Sequence, residues 1–143
     1  MTASKGFRLT APKPLETALL GQVIDYLSAQ QALGRIAWFA RCNGGGSFNQ
    51  AGQFLRFYML YLRGKSPVGR GMADLHGMLS SQYGGKYFAL EVKRPGEKPT
   101  AEQLAFLEAV RAGGGIAAVV RGYEDVPSLL FGEIDSQRGD GGG

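Results

Sequence analysis

Two strand-like runs separated by a glycine-containing turn constrain the fold of this chain more than any other feature. Residues 73–79 and 87–93 are strand-like runs of the length that strands have in globular proteins. Residues 80–85, which lie between them, read Ser-Ser-Gln-Tyr-Gly-Gly and are typical of a turn. The three segments together predict a β-hairpin.

A helix and a further strand are predicted directly after this hairpin. Thr100 and Gln103 have the spacing of a capping box, and Gly113 is placed to end the helix that they begin. Residues 116–120 are all apolar, which is typical of a strand that is buried on both faces. Because a β-α-β crossover joins parallel strands and a hairpin joins antiparallel ones, we predict a mixed β-sheet flanked by helices.

The N-terminal third of the chain predicts a helix followed by a strand and a loop. Four aliphatic residues recur at a spacing of four: Leu15, Leu19, Val23 and Leu27. They predict an amphipathic helix that Gly34 ends. Residues 36–42 are short, apolar and aromatic, so we expect a strand there. Residues 43–52 are rich in Gly, Ser, Asn and Gln and are predicted to form a loop.

The predicted element order describes an α/β fold. Residues 53–62 carry so many aromatic side chains that they fit a strand or a short buried helix, and β-propensity favours the strand. A last short helix is predicted with Pro127 in its first turn. The order is therefore α-β-β-β-β-α-β-α within one domain at residues 13–134. We expect residues 1–12 to be a flexible N-terminus and residues 135–143 to be a disordered glycine-rich tail.

The composition limits the chemistry that the chain can perform. Its 143 residues are 44% hydrophobic and 20% charged, which is typical of one soluble domain, and a formal net charge of +4 is compatible with a polyanionic partner. Cys42 and His76 are the only residues of their types, which excludes an internal disulfide, a cysteine-based zinc site and a site of several histidines. The sequence has no charge-free apolar run of the roughly 18 residues that span a membrane. Residues 1–8 lack the apolar core of a signal peptide. We expect a cytoplasmic protein of a bacterial cell or a phage-infected host, with no membrane contact.

The strongest candidate for chemistry is a set of charged residues at the ends of the two hairpin strands. Glu91 and Lys93 stand two apart and project to the same face of their strand, while Val92 points into the other layer. Asp74 begins the neighbouring strand, so its carboxylate can lie beside Glu91. Two close carboxylates repel each other unless a cation lies between them, and hard oxygen ligands select Mg²⁺ or Mn²⁺. The ammonium of Lys93 would orient or help deprotonate a water, or stabilise charge that develops on a phosphate.

The Glu-x-Lys pair also has an ordinary structural interpretation. Such a pair is most often a solvent-exposed ion pair between neighbouring strands. Its surroundings favour a site here, because the pair follows a strongly apolar run and lies beside the strand that bears Asp74. A basic loop precedes this region and a capped helix follows it.

Four short motifs recur together along residues 71–114. They are Gly71-Met72-Ala73-Asp74-Leu75-His76-Gly77, Glu91-Val92-Lys93-Arg94, Lys98-Pro99-Thr100-Ala101-Glu102-Gln103 with Phe106-Leu107, and Gly113-Gly114. In spacing and order they resemble the VRR-NUC nucleases of the PD-(D/E)xK superfamily, and Ala73 stands where the family motif has a proline. The resemblance extends from about residue 13 to residue 126. It implies a stand-alone VRR-NUC domain with a restriction-endonuclease-like fold.

The resemblance also implies a metal site and its catalytic residues. The ligands of Mg²⁺ or Mn²⁺ would be Asp74, Glu91 and the backbone carbonyl of Val92. The catalytic residues would be Asp74, Glu91, Lys93, Gln103 and Glu16. Two of these have structural alternatives that stay open. Gln103 is the residue expected to close the capping box, and Glu16 is a first-turn acid that the helix dipole favours.

Basic residues near the predicted site are candidates for contacts with a nucleic-acid backbone. They are Arg41, Lys65, Arg70, Arg94 and Lys98. Scattered surface charge explains each of them when it is taken singly. Arg70 and Arg94 are the stronger candidates because they flank the predicted site.

The function that the resemblance implies is hydrolysis of phosphodiester bonds in branched DNA by a metal-dependent endonuclease. Compact stand-alone relatives resemble Holliday-junction resolvases, so a four-way junction is the expected substrate. A homodimer would supply one active site for each cut strand, and residues 54–62 are apolar enough to form its interface. A central strand explains that run equally well. Two alternatives stay open: a nuclease with flap, single-strand or exonuclease activity, and a non-catalytic nucleic-acid-binding module.

Overall fold

A four-stranded mixed sheet lies between helices on both of its faces. The computed structural model describes residues 15–42 and 45–133. In chain order its elements are α1 (Glu16–Ala32), β1 (Ile36–Arg41), β2 (Gly46–Phe48), β3 (Phe54–Arg56), β4 (Leu75–Leu79), β5 (Tyr87–Val92), α2 (Ala101–Ala112), β6 (Ile116–Val120) and α3 (Val126–Phe131). Among the described residues, no helix combines the length and the apolar character that a membrane span requires.

The main sheet has the strand order β1-β4-β5-β6. β4 pairs antiparallel with β1 and with β5, whereas β5 pairs parallel with β6. The predicted hairpin and the predicted β-α-β crossover are therefore both present. The expectation of a mixed α/β fold with a mixed sheet flanked by helices is confirmed.

Each face of the sheet has its own apolar core. On one face, α1 buries an aliphatic stripe, and α3 packs beside it. The residues buried there include Leu19, Leu20, Val23, Leu27, Phe88, Leu90, Val92, Val126 and Leu130. On the other face, Phe106 and Leu107 of α2 pack against the small side chains of Ala89 and Ala117. Because successive residues of β5 point to opposite faces, Glu91 lies on the α2 side of the sheet.

The helix boundaries follow the predicted signals. α1 ends just before Gly34, whose φ of +78° an L-residue rarely adopts. In α2, Thr100 accepts a hydrogen bond from the Gln103 amide while the Gln103 side chain accepts one from the Thr100 amide, so the capping box is present. Pro127 lies in the first turn of α3.

The middle of the chain differs from the prediction. The strand expected at 53–62 extends only over Phe54–Arg56, and it pairs with β2, which lies in the segment expected to be a loop. The polar residues between β2 and β3 form a hairpin turn, in which the Gln53 amide donates to Oδ1 of Asn49 at 2.9 Å. The order of elements therefore contains one strand more than predicted. The interpretation of residues 54–62 as a central strand is wrong, because β3 lies outside the main sheet.

The last strand also differs from its prediction. β6 was expected to be buried on both faces, but it is an edge strand in which Ile116, Ala118 and Val119 are only half-buried. Its apolar composition follows from cover by α2 on one face and α3 on the other, and not from a central position in the sheet. The segments expected to be a flexible N-terminus and a disordered tail, residues 1–12 and 135–143, lie outside the described residues.

Candidate active site

Residues of four elements meet where the start of β4 lies beside the end of β5, the two central strands of the main sheet. Asp74 directly precedes β4, Glu91 and Val92 end β5, and Lys93 follows. Hydrogen bonds and charge interactions connect this group to Gln103 on α2 and Glu16 on α1. The structure thus brings together all the predicted catalytic and metal-binding residues: Glu16, Asp74, Glu91, Val92, Lys93 and Gln103.

The hairpin register places the two central carboxylates side by side. Leu75 is paired with Leu90, so Asp74, one residue earlier, lies beside Glu91, one residue later. The backbone amide of Val92 donates to Oδ2 of Asp74 at 2.8 Å. The carbonyl oxygen of Asp74 accepts from the amide of Cys42 at 2.8 Å, which holds the residue against the end of β1. Both backbone contacts fix the aspartate before any ligand is present.

Glu91 is a buried carboxylate with one unsatisfied oxygen. The residue is only 1% exposed. Its Oε1 accepts from Nε2 of Gln103 at 2.9 Å, but Oε2 has no hydrogen-bond partner among the residues that the structure describes. Burial first, and then the neighbouring Asp74 carboxylate, raise the pKa of Glu91 to about 8. Near neutral pH, Glu91 therefore retains its proton beside Asp74 unless a cation replaces it.

Lys93 is the nearest basic side chain to Glu91. Its Nζ lies 3.8 Å from Oε1 of Glu91, and the side chain is 14% exposed. The Lys93 amide donates to the carbonyl oxygen of Val120 at 3.0 Å, so the parallel pairing with β6 fixes its backbone. The expectation that Glu91 and Lys93 project to the same face is confirmed. The pair is mostly buried, which differs from the solvent-exposed ion pair of the structural alternative.

Gln103 has two contacts at once. Its backbone amide and Oε1 complete the capping box of α2, while Nε2 donates to Glu91. The capping interpretation and the site interpretation are therefore compatible. The cap fixes the rotamer of Gln103, and the fixed rotamer aims its amide nitrogen at the carboxylate.

A further carboxylate, Glu97, was not predicted from the sequence. The carboxyl groups of Glu16 and Glu97 lie next to each other, and Lys93 lies close to both. Burial and this contact raise the pKa of Glu16, whereas Arg94 lowers the pKa of Glu97. No sequence signal identifies Glu97, because its position depends on the turn at residues 94–97 returning towards α1.

Arg121 holds that turn in place. Its Nη1 donates to the carbonyl oxygens of Arg94 at 2.6 Å and of Glu97 at 2.8 Å. Arg94 itself pairs with the Glu97 carboxylate. The turn that carries Glu97 towards Glu16 is thus bound to the chain segment that follows β6.

The predicted nucleic-acid contacts are more dispersed than the carboxylates. Arg94 adjoins the site. Arg41 ends β1, where it is paired with Leu75, the residue next to Asp74. Lys65, Arg70 and Lys98 are exposed. Arg70 forms an ion pair with Glu102 at 2.8 Å, so part of its charge is already balanced within the protein.

The donors fit a magnesium-like ion better than a zinc ion. Among the described residues, no group of three or more His, Cys, Asp and Glu side chains is arranged to hold a metal ion. Zinc normally requires three or four such ligands. Magnesium is commonly bound by one or two carboxylates, with water and substrate phosphate completing its shell. Glu91, with its unsatisfied oxygen, and the neighbouring Asp74 are two carboxylates of this kind.

The charge balance of the site also favours a bound cation. Four carboxyl groups gather there, from Glu16, Asp74, Glu91 and Glu97, and the neighbouring basic groups are those of Lys93 and Arg94. Burial, and then this excess of acid, raise the pKa values of Glu16 and Glu91. In comparisons with known proteins, no family model and no curated protein matches the chain.

Proposed function

We propose that this chain is a divalent-metal-dependent endodeoxyribonuclease that hydrolyses phosphodiester bonds. The observation that carries the proposal is the buried Oε2 of Glu91, which has no donor in residues 15–42 and 45–133 and lies beside a second carboxyl group. A structural carboxylate in a core is normally fully hydrogen-bonded. A buried pair of carboxyl groups with one unsatisfied oxygen, next to an ammonium and an amide, is the arrangement expected of a metal-assisted hydrolase.

Mg²⁺ or Mn²⁺ would be held by Asp74, Glu91 and the Val92 carbonyl. When bound there, such an ion lowers the pKa of water and neutralises charge on the phosphate. Two side chains of the protein have further roles in this proposal. Lys93 positions the attacking water or stabilises negative charge that develops on the phosphate. Gln103 holds the Glu91 carboxylate in one orientation.

Glu16 is proposed as a further acidic group of this site. Burial raises the pKa of Glu16, and its carboxyl group lies close enough to Lys93 and Asp74 to feel their charges. Such a group can accept a proton from water as the reaction proceeds. The restriction-endonuclease-like fold, the VRR-NUC family and the four-way junction substrate are parts of the same proposal and stay predictions.

The test is a cleavage panel with Mg²⁺ or Mn²⁺ on duplex, flap, splayed-arm, single-stranded and four-way-junction DNA. Asp74→Asn should abolish cleavage, because it removes both a metal ligand and a charge. Glu108→Gln, which changes an exposed acid on α2, is the matched control and should cut as the wild type does. Cleavage that persists in excess EDTA, or in the Asp74 variant, would overturn the metal mechanism.

The panel also separates the two alternatives. Preference for flap or single-stranded substrates would replace the junction-resolving assignment with a flap or single-strand nuclease. DNA binding without cleavage under every metal condition would favour the non-catalytic module. The mostly buried Glu91 and Lys93 pair argues against that last outcome, since a module that only binds DNA has no need of a buried acidic site.

A further inference from the structure

The segment between β1 and β4 exposes an unusual number of large apolar side chains. We define the hairpin surface as the exposed side chains of Phe48, Phe54, Leu55, Phe57, Met59 and Tyr61. Phe57 is 65% exposed and Tyr61 is 75% exposed. The rings of Phe48 and Phe54 pack edge to face, with centroids 5.2 Å apart, across the β2–β3 hairpin. An exposed group of this size marks an interaction site in most soluble proteins.

These side chains are exposed although the segment that carries them is held in place. Burial alternates after β3: Tyr58, Leu60 and Leu62 are half-buried, whereas the residues between them are exposed. The hydroxyl of Tyr58 accepts from the Met72 amide at 3.2 Å, and Leu60 pairs with Val68. One side of this extended stretch is thus bound to the domain. The other side, with Phe57, Met59 and Tyr61, faces outwards.

The charged residues of the segment that carries the hairpin surface all have one sign. The sequence contains no Asp or Glu between Asp25 and Asp74. The basic residues in that interval are Arg35, Arg41, Arg56, Arg63, Lys65 and Arg70. The segment therefore combines exposed aromatic rings with basic residues, and it contributes no acidic side chain of its own.

Arg56 joins the two features directly. A Cβ added to Gly69 would lie 1.8 Å from Cδ of Arg56, so the aliphatic stem of the arginine lies against the Gly69 backbone. Its guanidinium carbon lies 5.7 Å from the centroid of the Phe54 ring. A guanidinium beside an aromatic face is a combination that can contact both a phosphate and a base.

Both ends of the segment are attached beside the candidate active site. The amide of Cys42, just after β1, donates to the Asp74 carbonyl oxygen. Tyr58 accepts from Met72, two residues before Asp74. The segment that carries the hairpin surface is therefore anchored next to Asp74 at both of its ends.

We propose that the hairpin surface binds unpaired nucleotides, whose bases stack on Phe57 and Tyr61 while Arg56 contacts the backbone phosphates. Positively charged grooves with exposed aromatic rings are how proteins bind single strands without sequence preference. Paired bases have no exposed faces along a duplex, so the surface would select substrates with an unpaired strand near the cut. The inference rests on the proposed function for its ligand, nucleic acid.

A second copy of the chain fits the same surface less well. In a two-fold interface, the same patch meets itself, so Arg56 and its basic neighbours would face equivalent basic residues with no acid within the segment to balance them. Single-stranded nucleic acid supplies both the missing negative charge and the planar apolar faces. Charge complementarity therefore favours the nucleic acid.

The test measures binding in EDTA, where no cleavage occurs, by fluorescence anisotropy. The probes are oligo(dT) of about 16 nucleotides, at the upper end of single-strand site sizes, and a duplex of equal length. Each stacked base contributes roughly a factor of 5 to 150 in affinity. Phe57→Leu/Tyr61→Leu should therefore weaken oligo(dT) binding at least about tenfold and leave duplex binding within about threefold. Tyr123→Leu, which removes an exposed aromatic ring beside α3, is the matched control and should change neither affinity.

A second variant tests stacking itself. Phe57→Trp keeps an aromatic face, so it should retain the affinity for oligo(dT), and the fluorescence of the new indole should be quenched when the oligonucleotide binds. Wild-type affinity of the double leucine variant for oligo(dT) would overturn the inference. So would equal losses for oligo(dT) and duplex, because they would indicate a general loss of binding without selection of unpaired bases.

Other outcomes separate this inference from the proposed function. If the double variant is monomeric where the wild type is a dimer, and its oligo(dT) affinity is unchanged, the surface belongs to a second copy and the inference fails. Metal-dependent cleavage that is lost in Asp74→Asn would leave the proposed function standing in that case. A wild-type protein that binds neither DNA probe and cuts no DNA would overturn both.

Discussion

Replacing Glu91 by glutamine should make the metal-free protein more stable while it destroys the proposed activity. Glutamine has nearly the same shape and carries no charge. Its oxygen can still accept from Gln103, and its amide nitrogen can donate towards Asp74. In the wild type, the corresponding atom is Oε2 of Glu91, which has no donor among the described residues. Wild-type Glu91 instead retains a proton that an unfolded glutamate releases far more easily. The variant removes this penalty.

The size and sign of the effect follow from the pKa of Glu91. Its value in the folded chain is about 8, against 4.5 for an ordinary glutamate. As the pH rises through this interval, the unfolded chain loses its proton first, so the folded wild type loses stability until the pH passes about 8. Over this interval each pH unit lowers the free energy of unfolding of the wild type by about 1.4 kcal/mol, so the total loss is at most roughly 5 kcal/mol. This upper limit already includes the attraction of Lys93, and because relaxation and water penetration reduce such burial penalties in real proteins, we expect a gain on the order of 2–3 kcal/mol at pH 8.

Denaturant unfolding of the two proteins in EDTA, between about pH 5 and pH 8, measures this difference. The gain of Glu91→Gln over the wild type should be close to zero near pH 5 and should grow towards pH 8. Added Mg²⁺ should stabilise the wild type and not the variant, since only the wild type retains both carboxylates. Glu108→Gln is the control and should stay within about 0.5 kcal/mol of the wild type. A glutamine variant less stable than the wild type at pH 8, or a gain independent of pH, would refute this reasoning.

Three further predictions concern the site, the basic residues and the assembly. Lys93→Ala should lower the cleavage rate by about 10²–10³ while calorimetry still detects metal binding, and a wild-type rate would make the buried pair structural. Lys65→Ala and Arg70→Ala should each reduce the salt dependence of duplex binding by roughly one unit of slope, and an unchanged slope would mean that the DNA path lies elsewhere. Light scattering should give about twice the 15.3 kDa of one chain if a homodimer cuts paired strands, and a monomer that persists on junction DNA would contradict this prediction.

The sequence predicts the site better than the surface around it, because the determinants of the site are local. Asp74 and Glu91 belong to one hairpin, so strand alternation and a short turn suffice to bring them together. Gln103 follows from the capping box, whose spacing is visible in the sequence. Glu16 and Glu97 meet only because the chain returns over a separation of 81 residues, and no local pattern encodes that contact.

The errors in the fold have a similar origin. β2 and β3 have three residues each, too few to show an alternation, and their polar and aromatic composition hides the pairing between them. The apolar run of β6 reflects cover by two helices, which the sequence cannot distinguish from a central position in the sheet. In both cases the deciding contacts lie between elements, so composition within one element misleads.

Two features of this chain lower its stability, and both lie where the proposed function needs them. Glu91 buries a carboxylate without a full set of donors, which is unfavourable unless a cation completes it. Phe57 and Tyr61 expose rings on a segment beside a two-stranded hairpin, a structure that is only marginally stable by itself. Selection for stability alone would replace the first by an amide and the others by polar residues. Because departures from local consistency concentrate at functional sites, the two features point to one working surface in which the carboxylates and the hairpin act on the same strand.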